Sequence, residues 1–438
     1  MKSRRAGPPD GGYGWVVVAS AFFIMGLTGA VLKNFGLFFL DIQNHFGVLT
    51  STTSWVTSTT IAMFHIGAPA ASALTLWFSQ RVVIMMGGLL CCLGMVLASL
   101  DLPLPCLYLT LGFLEGLGIS FSWIPAMSMV SHYFSRLRPI AYSMASSGEC
   151  VFAFVFSPFF KWLIETYTWR GALLIIGGLQ LNLCACAALM RPLESAEGPT
   201  PDRPEDEDVL PPKRKPIFQC SLIRKPELIF YIVFAIFAAA GFFIPTLFLV
   251  PFANSLGMDK YWPALILSVV AGADLAGRLF CGWIGNMRIL RNLQLLTIVA
   301  MLLGVVLLLL PVCSQFWFIV LFFALYGFLF GCVVAIHVTC IVDIVTLEGF
   351  DNGLGFFMLF RSIGGFIGPP AGGWLVDRTN DYSFAFYFSG FCLISSAMFV
   401  LLVDRLVQRR KAAEAEANCS VSRQEHQLTG EAIGDSVA

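Results

Sequence analysis

The sequence predicts an all-α membrane protein with twelve transmembrane helices in two six-helix bundles. Three observations predict this fold class: an apolar composition, twelve long apolar runs, and a repeat that relates the second half of the chain to the first. Of the 438 residues, 57% are hydrophobic and 12% are charged, whereas a soluble domain is about 45–50% apolar and about 25% charged. So little charge cannot cover a water-soluble particle of this size, which indicates that the chain folds in lipid.

The apolar runs are long enough to cross a bilayer. About 20 helical residues span about 30 Å of hydrocarbon, and a lone strand would leave its amides unpaired in lipid. The predicted spans are Gly14–Leu40, Trp55–Trp77, Val82–Leu100, Leu104–Val130, Ile140–Ile164 and Gly171–Met190, then Leu228–Pro251, Trp262–Ile284, Leu293–Val312, Phe316–Val342, Gly353–Val376 and Phe384–Val403.

Basic residues are distributed unevenly between the two sides of the membrane. With a cytoplasmic N-terminus, twenty of the 27 Lys and Arg residues lie on the cytoplasmic side, four outside and three within spans. This bias predicts a multi-pass protein with both termini in the cytoplasm. The predicted domains are a cytoplasmic N-terminus (1–13), an N-terminal six-helix bundle (14–190), a polar, Pro-rich cytoplasmic linker (191–227), a C-terminal six-helix bundle (228–403) and a cytoplasmic disordered tail (404–438).

An internal repeat relates spans five and eleven. The residues Trp162–Glu165 read WLIE, and Trp374–Asp377 read WLVD; the offset between these two segments also places Pro158 on Pro370. Two parallel six-helix repeats joined by a linker predict the major facilitator architecture, in which the substrate site lies between the halves near the middle of the membrane.

Ionisable residues occur inside the spans, where each costs about 2.5–3.5 kcal/mol on insertion scales. Besides two histidines, His65 and His337, there are three basic and three acidic residues, and these equal numbers predict mutual neutralisation in a shared, water-accessible interior. The six are Lys33, Glu115, Glu149, Asp274, Arg278 and Arg361.

Asp274 and Arg278 form the most informative pair. Their i, i+4 spacing puts both on one face of span eight, within pairing distance. A carboxylate substrate fits the planar fork of an arginine. An arriving anion would take Arg278, and the freed Asp274 would gain affinity for a proton. The alternative is a structural pair that only lets the helix insert.

The other intramembrane charges allow more than one interpretation each. Lys33 lies eighteen residues beyond Trp15, about 27 Å along a helix. This depth predicts an outer position, either snorkelling to headgroups or attracting an anion at the outer mouth. Glu149 and Arg361 are related by the offset of the repeat and are expected at similar depth. They line the cavity, lock the halves together on the cytoplasmic side, or make ordinary helix–helix polar contacts.

Three further polar residues complete the set. His65, in mid-span, either hydrogen-bonds substrate or packs as a satisfied histidine. Glu115 lies among glycines and is interpreted as a packing residue. His337, near the inner end of its span, is predicted to be interfacial.

Several motifs resemble the monocarboxylate transporter family. PDGGYGW at Pro9–Trp15 and YFSRLRPIAYSMASSG at Tyr133–Gly148 resemble its two signatures, and WRGALLIIGG and GPPAGGWLVDRTNDY are also typical. The resemblance implies a plasma-membrane carrier of the major facilitator superfamily in which Lys33, Asp274 and Arg278 carry substrate and proton. It also implies that Arg138 is a cytoplasmic anchor or gate. Some members bind a single-span ancillary glycoprotein.

The chain also departs from the lactate carriers of that family. They have an acidic residue at the position of Arg361, a small or apolar residue at that of Glu149, and often an aromatic residue at that of His65. An extra cavity cation with an extra acid would suit a different anion, a zwitterion or uncoupled transport.

The sequence therefore favours a secondary transporter that carries a small monocarboxylate, with a proton, by alternating access. One alternative is a proton-independent facilitative carrier of a zwitterionic or amino-acid-like solute on the same fold. Another class of protein, a channel or ligand-sensing receptor, is disfavoured by the repeat. The sequence has no nucleophile elbow, nucleotide loop or Cys/His metal spacing. We therefore expect no enzymatic activity, no cofactor or metal, and no nucleic-acid partner.

Overall fold

The computed structural model describes residues 10–75, 77–134, 137–191, 225–259, 261–287, 290–313, 315–345 and 350–434. In chain order its helices are α1 (Gly14–Asn34), α2 (Gly36–Phe46), α3 (Thr50–Leu74), α4 (Gln80–Ala98), α5 (Leu104–Leu107), a π-helical turn (Tyr108–Leu114), α6 (Glu115–Tyr133), α7 (Arg138–Gln180), α8 (Asn182–Leu189), α9 (Pro226–Ser255), α10 (Trp262–Met287), α11 (Asn292–Leu309), a 3₁₀ turn (Leu310–Val312), α12 (Phe316–Ile336), α13 (Thr339–Val345), α14 (Phe350–Thr379) and α15 (Ser383–Gly434).

These helices provide the twelve predicted spans. Within the described residues, nine helical stretches are long and apolar enough to cross a membrane. One of them, Ile140–Leu189, has 50 residues and contains two spans, because α7 turns back at Thr168 (φ 64°, ψ 169°). The remaining two spans are α3 and α14, which carry the Thr/Ser-rich and charged residues that face the protein interior. The predicted fold class is confirmed.

Each half has one long helix that packs within its own half and also contacts the other half. In the N-terminal half, α7 packs on α1 and reaches across to α10; in the C-terminal half, α14 packs on α9 and reaches across to α3. The repeat offset relates α7 to α14, and the equivalent order of the spans relates α1 to α9 and α3 to α10. The interface between the halves is therefore formed mainly by the α7–α10 and α3–α14 contacts.

The first span is longer than predicted. The chain bends at Phe35, and α2 then continues to Phe46 instead of ending at Leu40. The bend follows Asn34, whose side-chain oxygen accepts a 2.5 Å hydrogen bond from Ser157 of α7. Lys33 lies two residues before Phe35, and its predicted depth in the membrane stays a prediction.

The structure describes little of the predicted linker but most of the predicted tail. Of the predicted linker, only Arg191 and Lys225 onward lie within the described residues. The tail differs from the predicted disorder, because α15 continues as a helix to Gly434. Its segment from Arg409 to Ala417 reads RRKAAEAEA, and Ala, Glu, Lys and Arg are all strong helix formers.

Candidate functional site

Four charged side chains meet at the interface between the halves. Lys33 of α1 and Glu149 of α7 come from the N-terminal half, and Asp274 and Arg278 of α10 come from the C-terminal half. We call these four residues the central cluster. Asp274 is its most deeply buried member, with 1% of its surface exposed.

The contacts in the central cluster cross the interface in both directions. The Lys33 Nζ atom lies 2.5 Å from Asp274 Oδ2 and 3.2 Å from Glu149 Oε1. Arg278 donates through Nε to Asp274 Oδ1 at 2.8 Å and through Nη2 to Glu149 Oε2 at 3.2 Å. Every carboxylate thus contacts both cations, and each half supplies one cation and one carboxylate.

Two glycines allow the helices to approach closely enough for these contacts. A Cβ atom at Gly29 of α1 would collide with the side chain of Glu149, and one at Gly331 of α12 would collide with the backbone and carboxylate of Asp274. Both carboxylates are therefore held against a helix surface that has no side chain at the contact point.

A cavity lies beside the central cluster. It is small, with a volume of about 20 Å³, room for about one water molecule, and its lining includes Lys33, Asp274, Thr246, Tyr326 and Phe330. The Tyr326 hydroxyl donates to the Phe242 carbonyl at 3.0 Å, and the Lys33 ammonium lies 6.0 Å from the centre of the Phe330 ring. A polar end at Lys33 and Asp274 with an aromatic wall suits a small amphipathic anion.

Arg361 lies outside the central cluster. Its guanidinium donates through Nη1 to His337 Nε2 at 3.0 Å and lies 5.8 Å and 5.9 Å from the ring centres of Phe242 and Phe357. Arg361 is only 8% exposed. No carboxylate among the described residues lies within 4 Å of it.

The two intramembrane histidines are both buried. His337 directly follows α12 and is 7% exposed, because Arg361 and the ring of Phe357 cover it; its interfacial depth in the membrane stays a prediction. Its Nδ1 atom contacts the Val333 carbonyl at 3.1 Å. His65 Nδ1 contacts the Ile61 carbonyl at 2.8 Å. Since a carbonyl only accepts, each Nδ1 carries the hydrogen.

Two of the other predicted residues are further from the central cluster. Glu115 accepts a 2.5 Å hydrogen bond from Gln180 Nε2 inside the N-terminal half, which agrees with its interpretation as a packing residue. Arg138 begins α7, but its side chain lies outside the described residues, so its proposed role as an anchor or gate stays a prediction.

A second inter-half contact, which the sequence did not predict, lies where α14 ends and α3 begins. The Asp377 carboxylate accepts the backbone N–H groups of Thr50 at 2.8 Å and Ser51 at 2.9 Å. We call this contact the Asp377 latch. Partial burial opposes ionisation, but the hydrogen bonds from Ser51 and Thr50 outweigh it and hold the pKa of Asp377 below its ordinary value. Asp377 follows the predicted span, which ends at Val376.

The repeat contained a signal for this latch. Its offset relates Asp377 to Glu165, which lies three residues before the turn at Thr168 that ends the first span of α7. Glu165 pairs with Lys161 at 3.5 Å and reaches Tyr261, the residue before α10. A carboxylate of each repeat therefore faces the first residues of the helix across the interface.

Comparisons with known proteins agree with the resemblance found in the sequence. The sequence model of the Major Facilitator Superfamily matches residues 18–345 and 288–433. The chain is 38% identical to Monocarboxylate transporter 13 of Bos taurus over 91% of each chain. It is 34% identical to Monocarboxylate transporter 2 of Homo sapiens, covering 93% of this chain and 88% of that protein. It is also 34% identical to Monocarboxylate transporter 12 of Xenopus laevis, covering 93% and 92%.

One solved structure shows the same fold. It is a bacterial homologue of the human lysosomal transporter Spinster in an inward-facing, unoccupied conformation. The match has a TM-score of 0.69 at 14% identity and covers 90% of this chain and 96% of that one.

Proposed function

The chain belongs to the monocarboxylate transporter family of the major facilitator superfamily and is a membrane transporter, and we propose that it carries a small monocarboxylate together with a proton. The central cluster is the proposed substrate and proton site. The observation that carries the proposal is the 2.5 Å contact between Lys33 of one half and the buried Asp274 of the other. In this contact, Lys33 is a cation that a substrate anion would draw away. Asp274 is a carboxylate that would then need a proton.

The substrate step is an exchange of partners. In the substrate-free cluster Lys33 and Arg278 are both occupied by carboxylates. A substrate carboxylate competes for the same donors, and Arg278 offers it a planar two-pronged geometry. Glu149 keeps part of the cationic charge neutralised during this exchange, because it contacts both cations.

The proton step follows from the burial of Asp274. Once Lys33 and Arg278 turn to the substrate, the ionised carboxylate of Asp274 is left buried without its counter-charges, which is costly. Binding one proton removes that cost. Anion and proton therefore bind in one event, and neither is favourable in the chamber without the other.

The Asp377 latch supports alternating access. With the cytoplasmic termini that the basic residues predict, the latch closes the extracellular end of the interface, and its release would open the chamber outward. The proposal includes residence in the plasma membrane; an ancillary glycoprotein partner stays a prediction.

A second candidate is a proton-independent carrier of the same fold, and Arg361 favours it. A carboxylate bound at this unpaired cation would be neutralised with the central cluster intact and no proton taken up. The two candidates differ in the effect of a proton gradient on uptake: acceleration by external acid for the first, indifference for the second.

The replacement Asp274→Asn tests the first candidate. We expect net acid-driven uptake of labelled lactate or 3-hydroxybutyrate to fall at least about a hundredfold, since breaking a buried ion pair costs about 3–5 kcal/mol. Exchange of internal for external substrate should fall less, because exchange does not need the proton to leave. Asp259→Asn, at an exposed residue just before α10, is the matched control. Full acid-driven uptake by Asp274→Asn would exclude Asp274 as the proton site.

A further inference from the structure

Arg361 is a buried cation that the proposed transport cycle does not use. Its planar group has five N–H donors, and within the described part of the chain it makes one hydrogen bond, to His337 Nε2. That histidine is neutral in this arrangement, because its Nδ1 hydrogen is directed at the Val333 carbonyl and its Nε2 accepts from Arg361. The charge of Arg361 is therefore not balanced by its neighbours.

Two aromatic rings, those of Phe242 and Phe330, link Arg361 to the cavity beside the central cluster. Phe242 contacts Arg361, and Phe330 contacts Lys33; the two ring centres are 5.4 Å apart in an edge-to-face pair. Two cationic points thus face one aromatic wall.

The charges of the chamber can be counted for each cargo. The central cluster sums to zero, and Arg361 adds one positive charge. A monocarboxylate with one proton leaves that positive charge in place, whereas a dicarboxylate with one proton leaves none. A neutral loaded chamber is favoured, because a net charge in the membrane interior is costly.

We propose that Arg361, oriented by His337, is a second carboxylate-binding point, and that the chain transports dicarboxylates together with one proton each. This inference rests on the proposed function: one carboxylate takes the cations of the central cluster, and the other binds Arg361. The apolar middle of the substrate lies against Phe242 and Phe330. The proton resides on Asp274, which is faced by Lys33, Glu149, Arg278, the Cys150 thiol and the Tyr326 hydroxyl.

The test uses purified full-length protein in liposomes. Unbranched dicarboxylates of four to eight carbons are each compared with the monocarboxylate of the same length and with the dicarboxylate's monoamide, which keeps the shape and removes one charge. Labelled uptake gives the rate, and a trapped pH dye gives protons per substrate. We expect one chain length to be taken up at least about tenfold faster as the dicarboxylate than as its monoamide, with one proton per molecule.

Three variants separate the contributions. Arg361→Gln should lower the ratio of dicarboxylate to monocarboxylate uptake about tenfold or more, and Arg361→Lys should restore part of that ratio. Arg378→Gln, at an exposed arginine of the same helix, should match the unaltered protein. Binding of the same compounds, measured by thermal shift, shows whether Arg361→Gln is folded.

Several outcomes would overturn the inference. If the protein takes up monocarboxylates but no dicarboxylate, Arg361 is not a second binding point and the proposed function stands. If Arg361→Gln loses both classes equally while folded, Arg361 holds the first carboxylate instead. If no carboxylate of either class is transported and Lys33→Gln has no effect on any flux, the proposed function itself fails.

Discussion

The helices α7 and α14 occupy equivalent places in the two halves, yet their equivalent charged residues are in different environments. Glu149 of α7 contacts two cations across or beside the interface, whereas its repeat partner Arg361 of α14 contacts a neutral histidine. The fold therefore fixes where a charge is placed, and the neighbouring helices decide whether it is neutralised. The same position of the repeat therefore carries a neutralised charge in one half, Glu149, and a charge without a counter-ion in the other half, Arg361.

Removing the charge of Glu149 should have the largest effect on this comparison. In Glu149→Gln, Lys33 and Arg278 share the single carboxylate of Asp274, and the loss of one partner of a buried ion-pair network costs about 3–5 kcal/mol. Thermal unfolding in lipid nanodiscs measures this. Glu165→Gln, an exposed acid of the same helix paired with Lys161, should cost at most about 1 kcal/mol. Equal effects of the two variants would mean that the central cluster does not stabilise the fold.

Removing the charge of Arg361 should have the opposite sign. Arg361→Gln deletes an unbalanced buried cation, a gain of about 2.5–3.5 kcal/mol, and loses its hydrogen bond to His337, a cost of about 1 kcal/mol. We expect the protein without substrate to become more stable by about 1.5–2.5 kcal/mol, measured by the same unfolding assay with Arg378→Gln as control. A clear loss of stability would indicate that Arg361 has a structural role.

The fold was largely predictable because lipid imposes strong constraints on sequence, but the site was only partly so. The twelve spans and the Asp274–Arg278 pair follow from run length and an i, i+4 spacing. The contact of Lys33 with Asp274 joins residues 241 positions apart and depends on the bend at Phe35, which no sequence period reveals. The burial of His337 likewise depends on Arg361 and Phe357 of α14, which are distant from it in the sequence.

The Asp377 latch tests whether the outer ends of the repeats also differ. Asp377→Asn weakens the acceptor of two N–H groups at the start of α3 and removes a charge that complements the helix dipole, together about 1–2 kcal/mol. We expect a cysteine introduced at the buried Ser54 to react faster with an impermeant thiol reagent by about 5–30-fold. Asp381→Asn, which affects the cap of α15 within one half, is the control and should leave that rate unchanged.

The latch should also be insensitive to physiological pH. Because the pKa of Asp377 is below its ordinary value, its contribution is fully present above about pH 4 and is lost only as the pH falls further. The ratio of the rates at position 54 with and without Asp377→Asn should therefore stay constant from about pH 5 to 8, although each rate itself rises with the thiolate fraction. A change within that range would assign the latch to another titrating group.

The smallest expected effect concerns the turn inside α7 and the residue that follows α14. Thr168 and Asn380 are again related by the repeat offset, and both have positive φ angles, 64° and 56°. Thr168, with ψ 169°, lies in a region that is almost restricted to glycine. Thr168→Gly should stabilise the protein by about 1 kcal/mol after the entropy of glycine is subtracted, and Asn380→Gly should change it less, since asparagine tolerates positive φ. An unchanged unfolding temperature in Thr168→Gly would contradict this.

The equal division of the central cluster between the halves has an electrical consequence. Lys33 and Glu149 move with one half, and Asp274 and Arg278 move with the other, so each moving body keeps one ion of each sign. Rocking of the halves then displaces no gating charge from these four residues. The membrane potential would act only on the cargo and on Arg361, and current recorded during turnover would report those charges alone.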